Sequence, residues 1–191
     1  MRELVYYVAV SLDGYIAGPD GQFDAFPTEG DHTAALLDRF PDTVPAEVAG
    51  RLGIDQSAGS FSTVLMGWNT YAVGLDLGVT SPYPHLEQIV FSRTQHAEGE
   101  NLRVTADDPI TVVQELRGQP GGDIWLCGGG VLASQLLSEI DRLVLKRNPV
   151  TFGTGIPLFA HTEYAPEPFE LLESFSYDSG VVVSEFLRRS A

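Results

Sequence analysis

Three consecutive glycines, Gly128, Gly129 and Gly130, stand in DIWLCGGGVLASQLL between an apolar run and leucines at helical spacing. A backbone without side chains can turn sharply there, or let another group approach closely. Two occupants suit such a corner: a neighbouring strand, or an anion held by N–H groups at a helix start. The run from Gly128 through Val131 and Leu132 to Ala133 also fits the G-x-G-x-x-A pattern of a dinucleotide-binding turn. That pattern needs a carboxylate at the end of the next strand for a ribose, and the next strand ends Lys146-Arg147-Asn148. Tight packing and phosphate binding therefore both stay open, and a phosphate site here would have a different geometry.

Three further corners follow apolar, strand-like runs. After VLM, Gly67-Trp68-Asn69-Thr70 offers backbone N–H groups and the Thr70 hydroxyl to a phosphate, or is a plain helix start with Trp68 at the core edge. After EQIVF, Ser92-Arg93-Thr94 offers a guanidinium and two hydroxyls, able to hold a phosphate bidentately or simply to be a solvated loop. After ELVYYVAV, the segment Ser11–Ile16 contains Asp13, either a proton donor and substrate anchor or an Asx-turn residue before Gly14. Asp24, Glu29 and Asp31 are the other acidic candidates in the following loop.

The elements that must carry these corners can be read from pattern. Residues 3–10 are apolar almost throughout, as a strand buried on both faces requires. Asp13-Gly14 suggests a tight hairpin whose second arm is soon broken by Gly18, Pro19, Asp20 and Gly21. Helices are expected at 32–40, with Asp31 as N-cap, and at 45–52, with Pro45 in the first turn. Strands follow at 62–67, 87–92 and 101–106, and a short helix at Trp68–Gly74. Asp108-Pro109 opens a helix that Gly118 closes. DIWLC is a strand, 131–140 a helix, DRLVLKRNPV a strand, and TFGTGIPLF a glycine-broken loop. Alternating segments around YDSG make a terminal hairpin. The expectation is a single domain over 1–191 of α/β class. It has three layers and a mixed, mostly parallel sheet of about eight strands, with an antiparallel hairpin at one edge. In such a sheet ligands gather beyond the carboxyl ends of strands, where all four corners lie.

Composition narrows the partners. With 26 acidic against 11 basic residues, the net charge of −15 disfavours nucleic acid and anionic membrane surfaces. No apolar run approaches the length of a membrane span, and the first is too short for a signal peptide, so a cytoplasmic protein is expected. Cys127, the single cysteine, reads as a small buried hydrophobe. His32, His85, His96 and His161 lack metal-ligand spacing; no metal is expected, and each histidine is assigned to a surface or loop.

Taken in order, VAVSLDGYIAGPDG, VLMGWNTY, IVFSRT, IWLCGGGVLASQLL and DRLVLKRNPVTFGTGIPLF resemble the dihydrofolate reductase-like superfamily. The nearer branch is the one related to the reductase domain of the riboflavin-biosynthesis deaminase–reductase. The resemblance spans nearly the whole chain. It implies an eight-stranded dihydrofolate reductase-like fold, a homodimer, and NADPH across the strand ends. By that analogy Val8, Ala9 and Ile16 line the nicotinamide. Gly67, Trp68, Asn69 and Thr70 meet the phosphates, and Ser92 and Arg93 the adenosine 2′-phosphate. Gly128, Gly129, Gly130, Val131 and Leu132 cradle the pyrophosphate, while Asp13, Phe152 and Gly153 face the substrate. Relatives commonly carry a basic residue after the second corner's glycine; Trp68 and Asn69 stand there instead, leaving Arg93 alone for the 2′-phosphate.

The activity so implied is NADPH-dependent hydride transfer to a small heterocycle, pterin- or pyrimidine-like, or to a carbonyl or imine. The alternatives are a non-catalytic nucleotide- or ligand-binding module on the same fold and a dehydrogenase built on the dinucleotide fingerprint. Substrate identity would be written in the irregular segment 18–60.

Overall fold

The computed structural model describes residues 1–160 and 164–189. His161 lies outside the described residues. The chain runs β1 (Leu4–Val10), β2 (Tyr15–Ala17), α1 (Asp31–Arg39), α2 (Ala46–Leu52), β3 (Phe61–Gly67) and α3 (Trp68–Asp76). It continues through β4 (Glu87–Phe91), β5 (Leu102–Thr105), α4 (Pro109–Arg117), β6 (Asp123–Gly128), α5 (Gly130–Gln135) and β7 (Arg142–Arg147). The last elements are β8 (Ile156–Pro157), β9 (Phe169–Ser176) and β10 (Val182–Arg188).

Eight strands form one sheet in the order β5-β4-β3-β6-β1-β7-β10-β9. The first six run parallel, and the terminal hairpin adds β10 antiparallel to β7. Alternation along β1 divides the core. Leu4, Tyr6 and Val8 pack on the face covered by α4 and α5, through Val112, Val113, Leu116, Leu132, Ala133 and Leu136. Val5 and Tyr7 pack on the other face, with Leu36 of α1, Phe40 just after it and Tyr71 of α3. A strand apolar on both sides is what a central position demands. Each fully buried Leu, Ile or Val adds about 1.5–3 kcal/mol relative to exposure. Among the described residues no helix is long and apolar enough to cross a membrane.

Four local expectations are corrected. The Asp13-Gly14 turn forms, but its second arm pairs with β8 rather than folding back on β1, so TFGTGIPLF contains a short strand. Asp31 is the first residue of α1, not its cap. Its carboxylate instead accepts from the Asp178 and Ser179 N–H groups of the hairpin turn, at 2.7 and 3.1 Å. The helix expected at 131–140 ends at Gln135, and residues Leu137–Glu139 tighten into a 3₁₀ turn. His32 is not a surface residue: it is 1% exposed, with Nδ1 2.9 Å from Ser179 Oγ. Asp108, by contrast, does cap α4, accepting from Thr111 N at 3.0 Å.

Candidate functional site

Parallel register sets the carboxyl ends of β4, β3, β6 and β1 side by side. The four corners therefore line a single edge, in the order Ser92–Thr94, Gly67–Thr70, Gly128–Val131, Ser11–Ile16. The second and third touch. A Cβ on Gly67 would stand 3.9 Å from both Gly128 O and Gly129 N.

The glycine triplet divides by residue. Gly128 has φ +148°, a conformation side chains rarely adopt, and its peptide to Gly129 is cis. Added Cβ atoms at Gly128 or Gly129 would find only Thr70 Oγ1 within 4 Å, at 3.6 Å, so space lies open in front of them. At Gly130 a Cβ would meet the Pro157 carbonyl oxygen at 2.2 Å. Gly130 is thus glycine for packing against β8. Leu132 is buried in the core and Val131 is exposed.

Arg93 is exposed and has no ion pair among the described residues. Ser92 Oγ beside it accepts from Thr94 N and Gln95 N, at 3.3 and 2.9 Å, which shapes the loop that presents the guanidinium. Trp68 packs edge-on to Tyr71 at 5.5 Å, a core-edge role, while Asn69 is exposed.

Asp13 accepts hydrogen bonds that favour its ionised form. Ser11 Oγ donates to it at 2.6 Å, and the Phe152 and Gly153 N–H groups at 3.1 and 2.7 Å. These bonds, that from Ser11 foremost, hold its carboxyl down at about 2, so it is ionised at neutral pH. Its work is to tie the turn after β1 to the loop after β7. Phe152 stacks on Phe26 at 5.0 Å. Asp13, Phe152 and Gly153 thus form a clamp between loops, and none of them lines the cleft described next.

That cleft, of about 460 Å³, opens on the α1 face of the sheet, a volume within the usual small-molecule range. Its floor is Tyr7 and Ala9 of β1, Trp125 and Cys127 of β6, and Lys146 of β7. Its wall is α1, through His32, Thr33, Leu36 and Leu37, continuing to Phe40 and Val44. Ala9, expected at the nicotinamide, is therefore on the floor, while Val8 borders the cleft from β1 with its side chain in the core on the opposite face. Ile16 packs against the core on the opposite face. Burial pushes the Cys127 thiol up to about 12, which suits an inert hydrophobe and not a nucleophile. Burial likewise lowers the affinity of Lys146 for its proton. Of these lining residues, sequence reasoning missed His32, Leu36, Phe40, Trp125 and Lys146. The discoverable signals were the i, i+4 pair Leu36–Phe40 and a lysine breaking the apolar alternation of a central strand.

The RibD C-terminal domain family model matches residues 2–183. The chain belongs to that family. As a RibD C-terminal domain it is 30% identical over 161 residues, 83% of either chain, to the uncharacterized protein YwjB of Bacillus subtilis (strain 168). A crystallised Shewanella sp. PV-4 protein named for riboflavin biosynthesis superposes with a TM-score of 0.72 over the whole of both chains, at 22% identity. Dihydrofolate reductase from Enterococcus faecalis, complexed with NADP(H) and RAB-propyl, gives a TM-score of 0.61 at 14% identity, covering 98% and 97% of the two chains. The fold of this RibD C-terminal domain is accordingly the mixed α/β sheet of the dihydrofolate reductase type.

Proposed function

We propose that this RibD C-terminal domain is an NADPH-dependent reductase of a small heterocycle, carbonyl or imine. The observation that carries the reading is the convergence of four ligand-type corners on one sheet edge, beside a cleft whose floor includes Ala9. The residues fit the dinucleotide: open space fronts Gly128 and Gly129, Thr70 Oγ1 stands beside them, and Arg93 is unpaired. When bound, the cofactor supplies the hydride, and the protein supplies position and a dry surface. Arg93 holds the 2′-phosphate through charge-assisted hydrogen bonds. Gly129 lets the backbone approach the pyrophosphate. Tyr7 and Ala9 present a floor that excludes water, and α1 walls the substrate. The dinucleotide complex of the Enterococcus faecalis reductase, on the same fold, supports this placement.

Titration of cofactor fluorescence tests the reading. Saturable NADPH binding stronger than NADH binding is expected, followed by NADPH oxidation with a member of a pterin, pyrimidine and reactive-carbonyl panel. Absence of binding to either nucleotide would reject it. One observation favours a second reading, ligand binding without turnover: among the described residues no carboxylic acid lines the cleft to donate a proton. Binding without oxidation across the panel would support that reading. The partner in assembly is proposed to be a second copy, since the edge strand β9 exposes Leu171, Leu172 and Phe175; sedimentation measures it.

A further inference from the structure

Several polar groups of the cleft are committed, while the Tyr7 and Tyr83 hydroxyls have no hydrogen-bond partner among the described residues. Thr33 Oγ1 donates to Thr28 O at 3.1 Å, and Thr43 Oγ1 to Phe40 O at 2.8 Å. Trp125 Nε1 donates to Tyr7 O at 3.2 Å, and His32 Nδ1 meets Ser179 Oγ. Lys146 is different. It is the one Lys or Arg among the lining residues, no Asp or Glu lines the cleft, and among the described residues it has no ion pair and no side-chain hydrogen bond. Its neighbours in register are Ala9 on β1 and Val183 on β10, neither able to accept. The nearest carboxylate along β10, Glu185, is held by Arg39 and Arg142.

Around this cation the cleft is aromatic. Tyr7 stacks on Phe40 at 4.6 Å, and Tyr83 meets Trp125 edge-on at 5.0 Å. A half-buried ammonium without a counter-charge is costly, so its retention on a central strand asks for an anion that arrives with the ligand. The depressed proton affinity of Lys146 is the same cost seen from the ammonium, and an anion beside it would reverse it. A single ammonium, a compact point charge, matches one monoanionic group. The global charge of −15 repels anions elsewhere, which makes this cation selective.

We propose that the substrate is a planar, largely apolar molecule bearing one carboxylate, and that Lys146 is the residue that selects it by pairing with that carboxylate on the cleft floor. This deepens the reductase reading and rests on it, since it names the class of molecule reduced.

Calorimetric titration of the wild-type chain, with and without NADPH, uses three probes of one ring system: naphthalene-2-carboxylate, naphthalene-2-carboxamide and 2-naphthyl phosphate. The carboxylate is expected to bind about tenfold more tightly than the amide, the equivalent of about 1.4 kcal/mol. In Lys146→Met and Lys146→Gln that preference disappears while amide affinity is retained, and thermal melting checks that both variants are folded. Equal binding of carboxylate and amide by the wild type overturns the proposal. So does a preference that survives in the folded variants, tighter binding of the phosphate ester, or no binding of any probe. NADPH titration of the same wild-type sample reports separately on the reductase reading, which can stand when the probe preference fails.

Discussion

The two edges of the parallel sheet use the same charged residue types in opposite ways. At the edge where the strands begin, cations are paired. Arg2 is 6% exposed and donates to Gly122 O, Leu116 O, Ser62 Oγ and Thr63 Oγ1. Arg117 pairs with Glu139 and Asp141, and Arg142 with Asp123 and Glu185. Asp123 and Asp141 in turn accept the Glu3 and Leu4 N–H groups, locking the entry of β1. At the edge where the strands end, Arg93 has no ion pair among the described residues, and on the adjoining floor neither does Lys146. A paired charge holds the fold together, and an unpaired one is free to meet a ligand. Counting charges in the sequence cannot separate these roles; only partners do.

The contrast can be broken from either side, beginning with the largest effect. Arg142→Ala takes one of two cations from Glu185, whose side chain is 4% exposed, and also strips the pairs with Glu3 and Asp123; urea unfolding should show a loss of about 3 kcal/mol, with NADPH affinity unchanged. A loss below about 1 kcal/mol would mean that this edge is no more committed than the other. Next is the glycine pair. Gly130→Ala drives a Cβ into the Pro157 carbonyl and should destabilise by about 1–3 kcal/mol. Gly129→Ala meets nothing closer than 3.6 Å, and should leave melting intact while weakening NADPH.

Arg93→Ala gives the cleanest mirror image of Arg142→Ala. Stability should stay within about 0.5 kcal/mol, while NADPH affinity falls about tenfold or more and NADH affinity holds. Equal loss for both nucleotides would remove Arg93 from the 2′-phosphate. The smallest effect belongs to Asp13→Asn, which loosens the clamp and should lower the melting temperature by a few degrees at pH 7. Because the folded carboxyl sits at about 2, below its unfolded value near ~4, this stabilisation is present above pH ~4 and is lost as pH falls towards 2. The wild-type and Asp13→Asn melting curves should therefore converge in acid. Curves that stay apart there would mean that Asp13 acts through something other than its charge.

Strand-end corners were legible because they follow directly on apolar runs, and a parallel sheet places all such ends together. β1 was legible because both its faces are apolar. What escaped depends on partners distant in sequence. The second arm of the first turn finds β8 some 140 residues later, so a local hairpin signal misleads. Asp31 has the residue type of a cap, but two N–H groups of the hairpin turn outcompete its own helix. His32 looks like any polar residue on a surface helix until Ser179 and Tyr177 close around it. The cleft is invisible in the sequence because its floor is drawn from three strands that are separated along the chain and adjacent only in the sheet.

The mooring of α1 gives the cleft a remote adjustment. The helix that walls the cleft is tethered at its first turn to Asp178 and Ser179, through Asp31 and His32. Those two turn residues line nothing in the cleft. Lengthening or reshaping the turn between β9 and β10 would shift the wall while leaving the floor and its lysine in place. Relatives with different turns there could thus accept substrates of different girth on an unchanged floor, and an engineer could widen the cleft without altering a single lining residue.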